Sequence, residues 1–100
     1  MLSVYRKGTR RYFLARIIEE HDNITSSKFA ICYSNNADNT NAKCTTKMIN
    51  KAFGDLQKAQ EKLDEQADSH GWSWAGENKT MPQYKLVYKA GKTVFALEGQ

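Results

Sequence analysis

Apolar residues recur every three or four positions after residue 54, and this spacing predicts an amphipathic helix. The apolar stripe consists of four residues, Leu56, Ala59, Leu63 and Ala67, and charged residues cover the remaining faces. Asp55 is suited to accept hydrogen bonds from the free N–H groups of the first turn. Gly71 can adopt the left-handed conformation that ends a helix, and Trp72 would then fold back towards Ala67. The pattern predicts a helix from about residue 55 to about residue 70.

Alternation of apolar and polar positions predicts the strands in the first third of the chain. Residues 3–18 form two strand segments around Gly8-Thr9, and the second segment is apolar on both faces, which is typical of a strand near the middle of a sheet. Residues 29–34 alternate large apolar side chains with small ones and predict a third strand. We expect the second and third segments to pair as an antiparallel hairpin, with residues 19–28 as a polar connection.

The rest of the chain divides into two connections and two further strand regions. Residues 35–46 are small and polar and predict a loop. Residues 48–53 predict a strand that leads into the helix, and residues 73–83 predict a connection that leaves it. Residues 84–97 alternate on both sides of Ala90-Gly91 and predict a C-terminal β-hairpin.

These elements define the predicted fold class. The apolar stripe of the helix is too narrow to stabilise a lone helix, so the helix must pack on a sheet. One hundred residues are enough for one core and too few for two domains. We predict a single α+β domain over residues 1–100, with an antiparallel sheet of about four to six strands packed on one main amphipathic helix that is followed by the C-terminal β-hairpin.

Composition indicates the cellular compartment in which the protein is expected. No apolar run is long enough to cross a bilayer, and charges occupy the positions near the N-terminus where a signal peptide carries its apolar stretch. Cys32 and Cys44 show neither a CxxC motif nor a Cys/His cluster, so they predict free thiols rather than a disulfide or a zinc site. We expect a cytoplasmic protein that has no membrane partner.

The distribution of charge is more informative than its total of +4. Residues 1–18 contain no acidic residue but five basic ones, Arg6, Lys7, Arg10, Arg11 and Arg16. Residues 79–92 contain four lysines and again no acidic residue, whereas the predicted helix is mainly acidic. The sequence therefore predicts a basic sheet and an acidic helix surface, and the sheet is the surface that would meet a polyanion.

Two stretches resemble parts of known DNA-binding domains. They are YRKGTRRYFLARI at residues 5–17 and FGDLQKAQEKLDEQA at residues 53–67, which together cover less than a third of the chain. The order of parts resembles the plant ethylene-response-type DNA-binding domains and the arm-binding domains of tyrosine integrases. This resemblance implies three antiparallel strands, then one helix, and a basic sheet face in the DNA major groove. The chain departs from both families in the polar loop at residues 35–46 and in the hairpin after the helix.

The first functional hypothesis is a non-enzymatic module whose basic N-terminal strands contact nucleic acid or a nucleoprotein. Arginine suits this task because its planar fork matches phosphate and guanine edges, and tyrosine can stack on bases. The candidate binding residues are Arg6, Lys7, Arg10, Arg11, Tyr12 and Arg16, with Tyr5 as a further aromatic residue. The structural alternative is a solvated sheet edge whose charges prevent edge-to-edge pairing.

The second hypothesis is a protein-binding inhibitor or adaptor, of the kind that phages and mobile elements encode, which docks on a larger enzyme. It rests on the small size and on four aromatic residues expected at the surface, Trp72, Trp74, Tyr84 and Tyr88. Homodimerisation through a sheet edge is a further alternative.

Catalysis is the least supported function. His21 beside Asp22, the Glu19-Glu20 pair, and Cys32 with a histidine supply reactive groups, but no pattern in the sequence fixes their geometry. We therefore expect no enzymatic activity, no catalytic or metal-binding residues and no cofactor.

Overall fold

Six strands and one helix make up the described part of the computed structural model. The structure describes residues 2–21, 24–35, 51–89 and 92–98, and among these the side chains of residues 2–20, 24–35 and 51–85. In chain order the elements are β1 (Leu2–Lys7), β2 (Arg10–His21), β3 (Ile24–Ser34), α1 (Leu56–His70), β4 (Ser73–Asn78), β5 (Gln83–Lys89) and β6 (Lys92–Glu98). The α+β class, the helix and the C-terminal hairpin formed by β5 and β6 are thereby confirmed.

The long strand β2 is the centre of the sheet. Strand β3 pairs with it antiparallel along its length, from Arg11↔Ser34 to His21↔Ile24. The other edge of β2 is shared by two strands, because β1 pairs with residues 10–12 and β5 pairs with residues 16–20. The β2–β5 pairing is parallel, whereas the other described strand pairs are antiparallel as predicted. A parallel neighbour becomes available here because the chain passes through α1 and β4 before it returns to β2.

The predicted turn at Gly8-Thr9 and the predicted β2–β3 pairing are confirmed, but the predicted connection at residues 19–28 is wrong. Strand β2 continues to His21 and β3 begins at Ile24, so most of that segment is an extension of the hairpin. Glu19 and Lys28 form an ion pair of 2.7 Å across this extension. Backbone hydrogen bonds stabilise paired strands even where the side chains are polar. The lack of an apolar pattern at residues 19–28 therefore did not mean that the strands ended there.

The predicted connection at residues 73–83 is also wrong in its first half. Residues Ser73–Asn78 form β4, which pairs antiparallel with β1 at the end of the described strand order. The register shifts between Val4 and Tyr5, and Gly76 in this region has φ 116°. A bulged edge strand lacks clean alternation, which explains why the pattern concealed it.

Two earlier predictions lie mainly outside the described residues. They are the polar loop at residues 35–46, of which only Asn35 is described, and the strand at residues 48–53. Within the described part, Phe53 forms an isolated antiparallel bridge with Phe29, with N–O distances of 2.7 and 2.8 Å.

The sheet is buried on both faces near its centre. On the helix face, which is the face that contacts α1, the residues Tyr12, Leu14, Phe29 and Ile31 pack with Ala59 and Leu63. On the opposite face the buried cluster is Val4, Phe13, Ala15, Ile17, Ala30, Cys32 and Tyr84. The prediction of a two-faced apolar strand near the middle of the sheet is therefore confirmed.

Helix α1 has the predicted ends. The Asp55 carboxylate accepts a hydrogen bond from the Lys58 N–H at 3.1 Å, and Gly71 has φ 70°. The Trp72 N–H donates to the Ala67 carbonyl at 2.9 Å, so the chain folds back as expected. Leu56, by contrast, is 39% exposed and contributes less to the core than the predicted stripe implied. No helix in the described ranges is long and apolar enough to span a membrane.

Candidate nucleic-acid interface

The turn between β1 and β2 brings four basic residues together. Arg6 lies opposite Arg11, and Lys7 lies opposite Arg10, on either side of Gly8-Thr9. Because successive side chains point to opposite faces of a strand, each face of this hairpin presents two cations. We call Arg6, Lys7, Arg10 and Arg11 the basic hairpin.

The basic hairpin has no acidic partner among the side chains that the structure describes. The ion pairs found there join other residues: Glu19 with Lys28, Glu65 with Lys62, and Glu20 with Lys85. Like charges that face each other across two strands are destabilising. The four cations of the basic hairpin therefore form a positively charged surface that can attract an external anion.

An aromatic row lies beside the basic hairpin on the helix face. Directly opposite positions of β4, β1, β2 and β3 hold Trp74, Tyr5, Tyr12 and Tyr33 in that order. The rings of Tyr12 and Tyr33 are 6.2 Å apart between centroids and are tilted by 50°. Four aromatic residues thus lie side by side on four neighbouring strands, and we call them the aromatic row.

Two members of the aromatic row are occupied by contacts within the protein. Tyr12 is only 9% exposed because the Trp72 indole stacks on its ring, with centroids 3.7 Å apart and an interplanar angle of 8°. His70 in turn lies 5.3 Å from the Trp72 ring. The Tyr5 hydroxyl donates a hydrogen bond of 2.5 Å to Asp64 on α1.

The two ends of the aromatic row remain accessible. Trp74 is 60% exposed on β4. Tyr33 is half-buried, and the Arg10 guanidinium lies 4.3 Å from the centroid of its ring. The Arg10 Nε–H also donates to Asn35 Oδ1 at 3.5 Å, which limits rotation of the guanidinium plane. The accessible aromatic surface is therefore the Trp74 indole and the Arg10–Tyr33 pair.

The electrostatic environment differs on the two sides of the aromatic row. Asp64 lies on the side of α1, where it accepts hydrogen bonds from Tyr5 and from Gln60 Nε2 at 3.0 Å. The hydrogen bond to Asp64, together with burial and the Asp64 charge, raises the pKa of Tyr5 to about 12. The basic hairpin lies on the other side. A bound polyanion would be attracted to the hairpin side and repelled from the helix side.

The structure separates the six residues predicted to bind. Arg6, Lys7, Arg10 and Arg11 lie together in the basic hairpin. Tyr12 is buried and packs in the core, so its ring is not exposed for a ligand. Arg16 lies over the Phe29 ring at 5.1 Å, about 20 Å along β2 from Arg10.

Arg16 borders a separate surface feature. This feature is an open groove of about 330 Å³, lined by Arg16, Ile18, Thr25, Ser26, Ser27 and Gln83. Arg16 therefore does not belong to the basic hairpin.

Sequence reasoning missed Tyr33 and the Arg10–Tyr33 contact. Both depend on the register between β2 and β3, which alternation alone does not specify.

The aromatic residues expected at the surface differ in their exposure. Trp74 is exposed and Trp72 is half-buried. Tyr84 is only 1% exposed, so the expectation that it lies at the surface is wrong. Tyr84 is buried because β5 pairs with β2 and places it opposite Ile17. The side chain of Tyr88 lies outside the described residues.

We also searched for a metal site and for related proteins. In the described ranges, no group of three or more His, Cys, Asp or Glu side chains is placed to hold a metal ion. Comparison with family models, with curated proteins and with solved structures gave no match for this chain.

Proposed function

We propose that this protein is a non-enzymatic binding module that contacts nucleic acid through the basic hairpin. The observation that carries the proposal is a set of four adjacent cations without a described carboxylate partner, next to an aromatic row. Both arginine and lysine bind phosphate, arginine through two parallel hydrogen bonds and lysine as a point charge.

The physical basis of this binding is counterion release. Each phosphate that a Lys or Arg neutralises frees condensed cations, so affinity falls linearly with salt on logarithmic axes. The slope is about 0.9 per phosphate contact for a duplex and about 0.7 for a single strand. Contacts from Arg6, Lys7, Arg10 and Arg11 would therefore give a strong dependence on salt, although the total charge of the protein is modest.

The test is nucleic-acid binding at two or more salt concentrations by the wild type and by Arg6→Ala/Lys7→Ala. Both side chains are exposed, so their removal should leave the fold intact. The matched control is Lys58→Ala/Lys79→Ala, which removes the same charge from exposed positions outside the hairpin. We expect the hairpin variant to lose affinity and to show a salt slope lower by about 0.7 to 0.9 per lost contact. Equal losses in both variants, or no binding by the wild type at low salt, would overturn the proposal.

The second candidate function is binding to a protein, and the exposure of Trp74 favours it. Tryptophan is enriched among the residues that dominate protein interfaces, and β4 lies at the edge of the described sheet. This function predicts a partner that wild-type protein retains and Trp74→Ala loses, whereas Lys58→Ala retains it. A partner retained equally by all three proteins would argue against an interface at β4.

A further inference from the structure

The placement of the aromatic row beside the basic hairpin indicates which form of nucleic acid fits this surface. We infer that the ligand is a single strand, whose unpaired bases stack on Trp74 and on the Arg10–Tyr33 pair. Lys7 and Arg10, the two cations of the basic hairpin that share the helix face with the aromatic row, hold its phosphates. This inference rests on the proposed function and makes it more specific, because a single strand and a duplex present different chemistry to the same cations.

Trp74 provides the first stacking surface. Its indole is 60% exposed although tryptophan is highly buried on average. Its position on β4 places it opposite Tyr5 at one end of the aromatic row. Every base has a flat π face, so stacking on an exposed indole tolerates any sequence.

The Arg10–Tyr33 pair provides the second stacking surface. The Arg10 Cζ lies over the Tyr33 ring, 4.3 Å from its centroid, so the guanidinium covers one side of this ring. Guanidinium planes stack on bases in many RNA complexes. Arg10 can therefore contact a base through the side of its guanidinium that is away from Tyr33, and a neighbouring phosphate through its N–H groups.

The distance between the two surfaces suits a strand that crosses the sheet. From β4 to β3 the aromatic row passes over three strand spacings, or about 14 Å. Tyr5, Tyr12 and Trp72 occupy the interval between its ends. A strand that follows this path would keep its phosphates near Lys7 and Arg10 and away from Asp64.

A duplex fits this surface poorly. Its bases stack on one another and present only their edges, so they cannot stack on Trp74 or on Arg10. Insertion of the sheet into a major groove would require an accessible sheet face. Helix α1 covers the helix face at Leu14 and Ile31, and the opposite face is buried at Phe13 and Ile17. The basic strands therefore cannot lie flat in a groove in the manner that the family resemblance implied.

The experiment compares three ligands of equal length, about twelve nucleotides, which lies within the ~4–16 nucleotides that small single-strand-binding domains occupy. They are a mixed-sequence single strand, its duplex, and an abasic strand that retains the phosphates but lacks the bases. We expect the single strand to bind at least tenfold more tightly than the other two, because only it can stack on the protein. An RNA strand of the same sequence should behave like the DNA strand.

Protein variants test the stacking residues directly. Trp74→Ala should weaken binding to the single strand by about 5- to 150-fold, the range for loss of one base stack. Its binding to the abasic strand should be unchanged, and Trp74→Phe should recover most of the affinity. Ile24→Ala is the matched control, since Ile24 is also a large exposed apolar residue, 72% exposed, but lies outside the aromatic row.

The outcomes separate this inference from the proposed function. Equal binding of the single, duplex and abasic strands would overturn stacking but leave phosphate binding by the basic hairpin in place. Tighter binding of the duplex, or an unchanged affinity of Trp74→Ala for the single strand, would also overturn the inference alone. Failure of all three ligands to bind at low salt would overturn both the inference and the proposed function.

Discussion

The indole of Trp72 lies nearly parallel to the ring of Tyr12, with 3.7 Å between their centroids. This contact joins the end of α1 to the central strand β2, and it buries Tyr12, which was predicted to bind a ligand. Tyr12 is therefore a structural residue at the boundary between the core and the basic hairpin. The Arg10–Tyr33 pair lies next to it, because Tyr33 is directly opposite Tyr12 on β3.

The Trp72–Tyr12 contact should contribute strongly to stability. Trp72→Ala removes a half-buried indole together with its stacking contact, and we expect it to lower the free energy of unfolding by about 2–3 kcal/mol. Chemical denaturation at neutral pH measures this loss. The control is Trp74→Ala, which removes an exposed indole and should change stability by less than about 0.5 kcal/mol. Similar losses in the two variants would contradict a specific role for the stack.

The hydrogen bond from Tyr5 to Asp64 should make stability depend on alkaline pH. The pKa of Tyr5 is raised from 10.0 to about 12 in the folded protein. Below pH 10 both the folded and unfolded states keep the proton, so the stabilisation is fully present. Between about pH 10 and pH 12 only the unfolded chain ionises, and the stabilisation is lost as pH rises.

Tyr5→Phe isolates this effect from other groups that titrate at high pH. At neutral pH the variant should be less stable by about 1 kcal/mol, because it lacks the hydrogen bond. The difference in unfolding free energy between wild type and variant should shrink as the pH approaches 12. Denaturant titrations at several pH values measure this difference. A difference in unfolding free energy that stays constant up to pH 12 would show that the Tyr5 hydroxyl does not donate a hydrogen bond to Asp64.

Leu63 and Leu56 occupy the same predicted stripe of α1 but should differ in their effect on stability. Leu63 is fully buried between the helix and the sheet, so Leu63→Ala should cost about 3 kcal/mol. Leu56→Ala removes the same atoms from a side chain that is 39% exposed and should cost less than about 1 kcal/mol. Thermal or chemical unfolding of the two variants provides the comparison. Equal losses of stability in the two variants would mean that the helix packs on the sheet through a different face.

Gly8 determines the geometry of the basic hairpin. Its φ of 62° lies in the left-handed region, and a Cβ at this position would meet no atom within 4 Å. The cost of Gly8→Ala is therefore conformational and should be about 1 kcal/mol, whereas Gly8→Asn should cost less because asparagine tolerates this conformation better. Unfolding experiments measure the costs. An alanine variant as stable as the wild type would indicate a different turn.

Local signals in the sequence were sufficient to predict the helix and five of the six described strands, all except β4. Asp55 and Gly71 marked the helix ends because capping depends on the identity of one residue and its immediate neighbours. The two-faced apolar pattern of residues 12–18 placed β2 at the centre of the sheet, since only a strand covered on both sides has such a pattern. The clustering of Arg6, Lys7, Arg10 and Arg11 also followed from their positions around Gly8-Thr9.

Tertiary structure alone decided which distant residues meet. The aromatic row depends on the pairing of β4 with β1 and on the register of β3 against β2, and neither is encoded in local periodicity. The same holds for Tyr84, which the parallel β2–β5 pairing buries, and for Arg16, which lies over Phe29 away from the basic hairpin. By itself the sequence determined the secondary structure of α1 and the charge of the hairpin, because both depend on near neighbours. The exposed Trp74 and the Arg10–Tyr33 pair come to lie in one row only when four strands align, because their register is set by packing across the whole sheet.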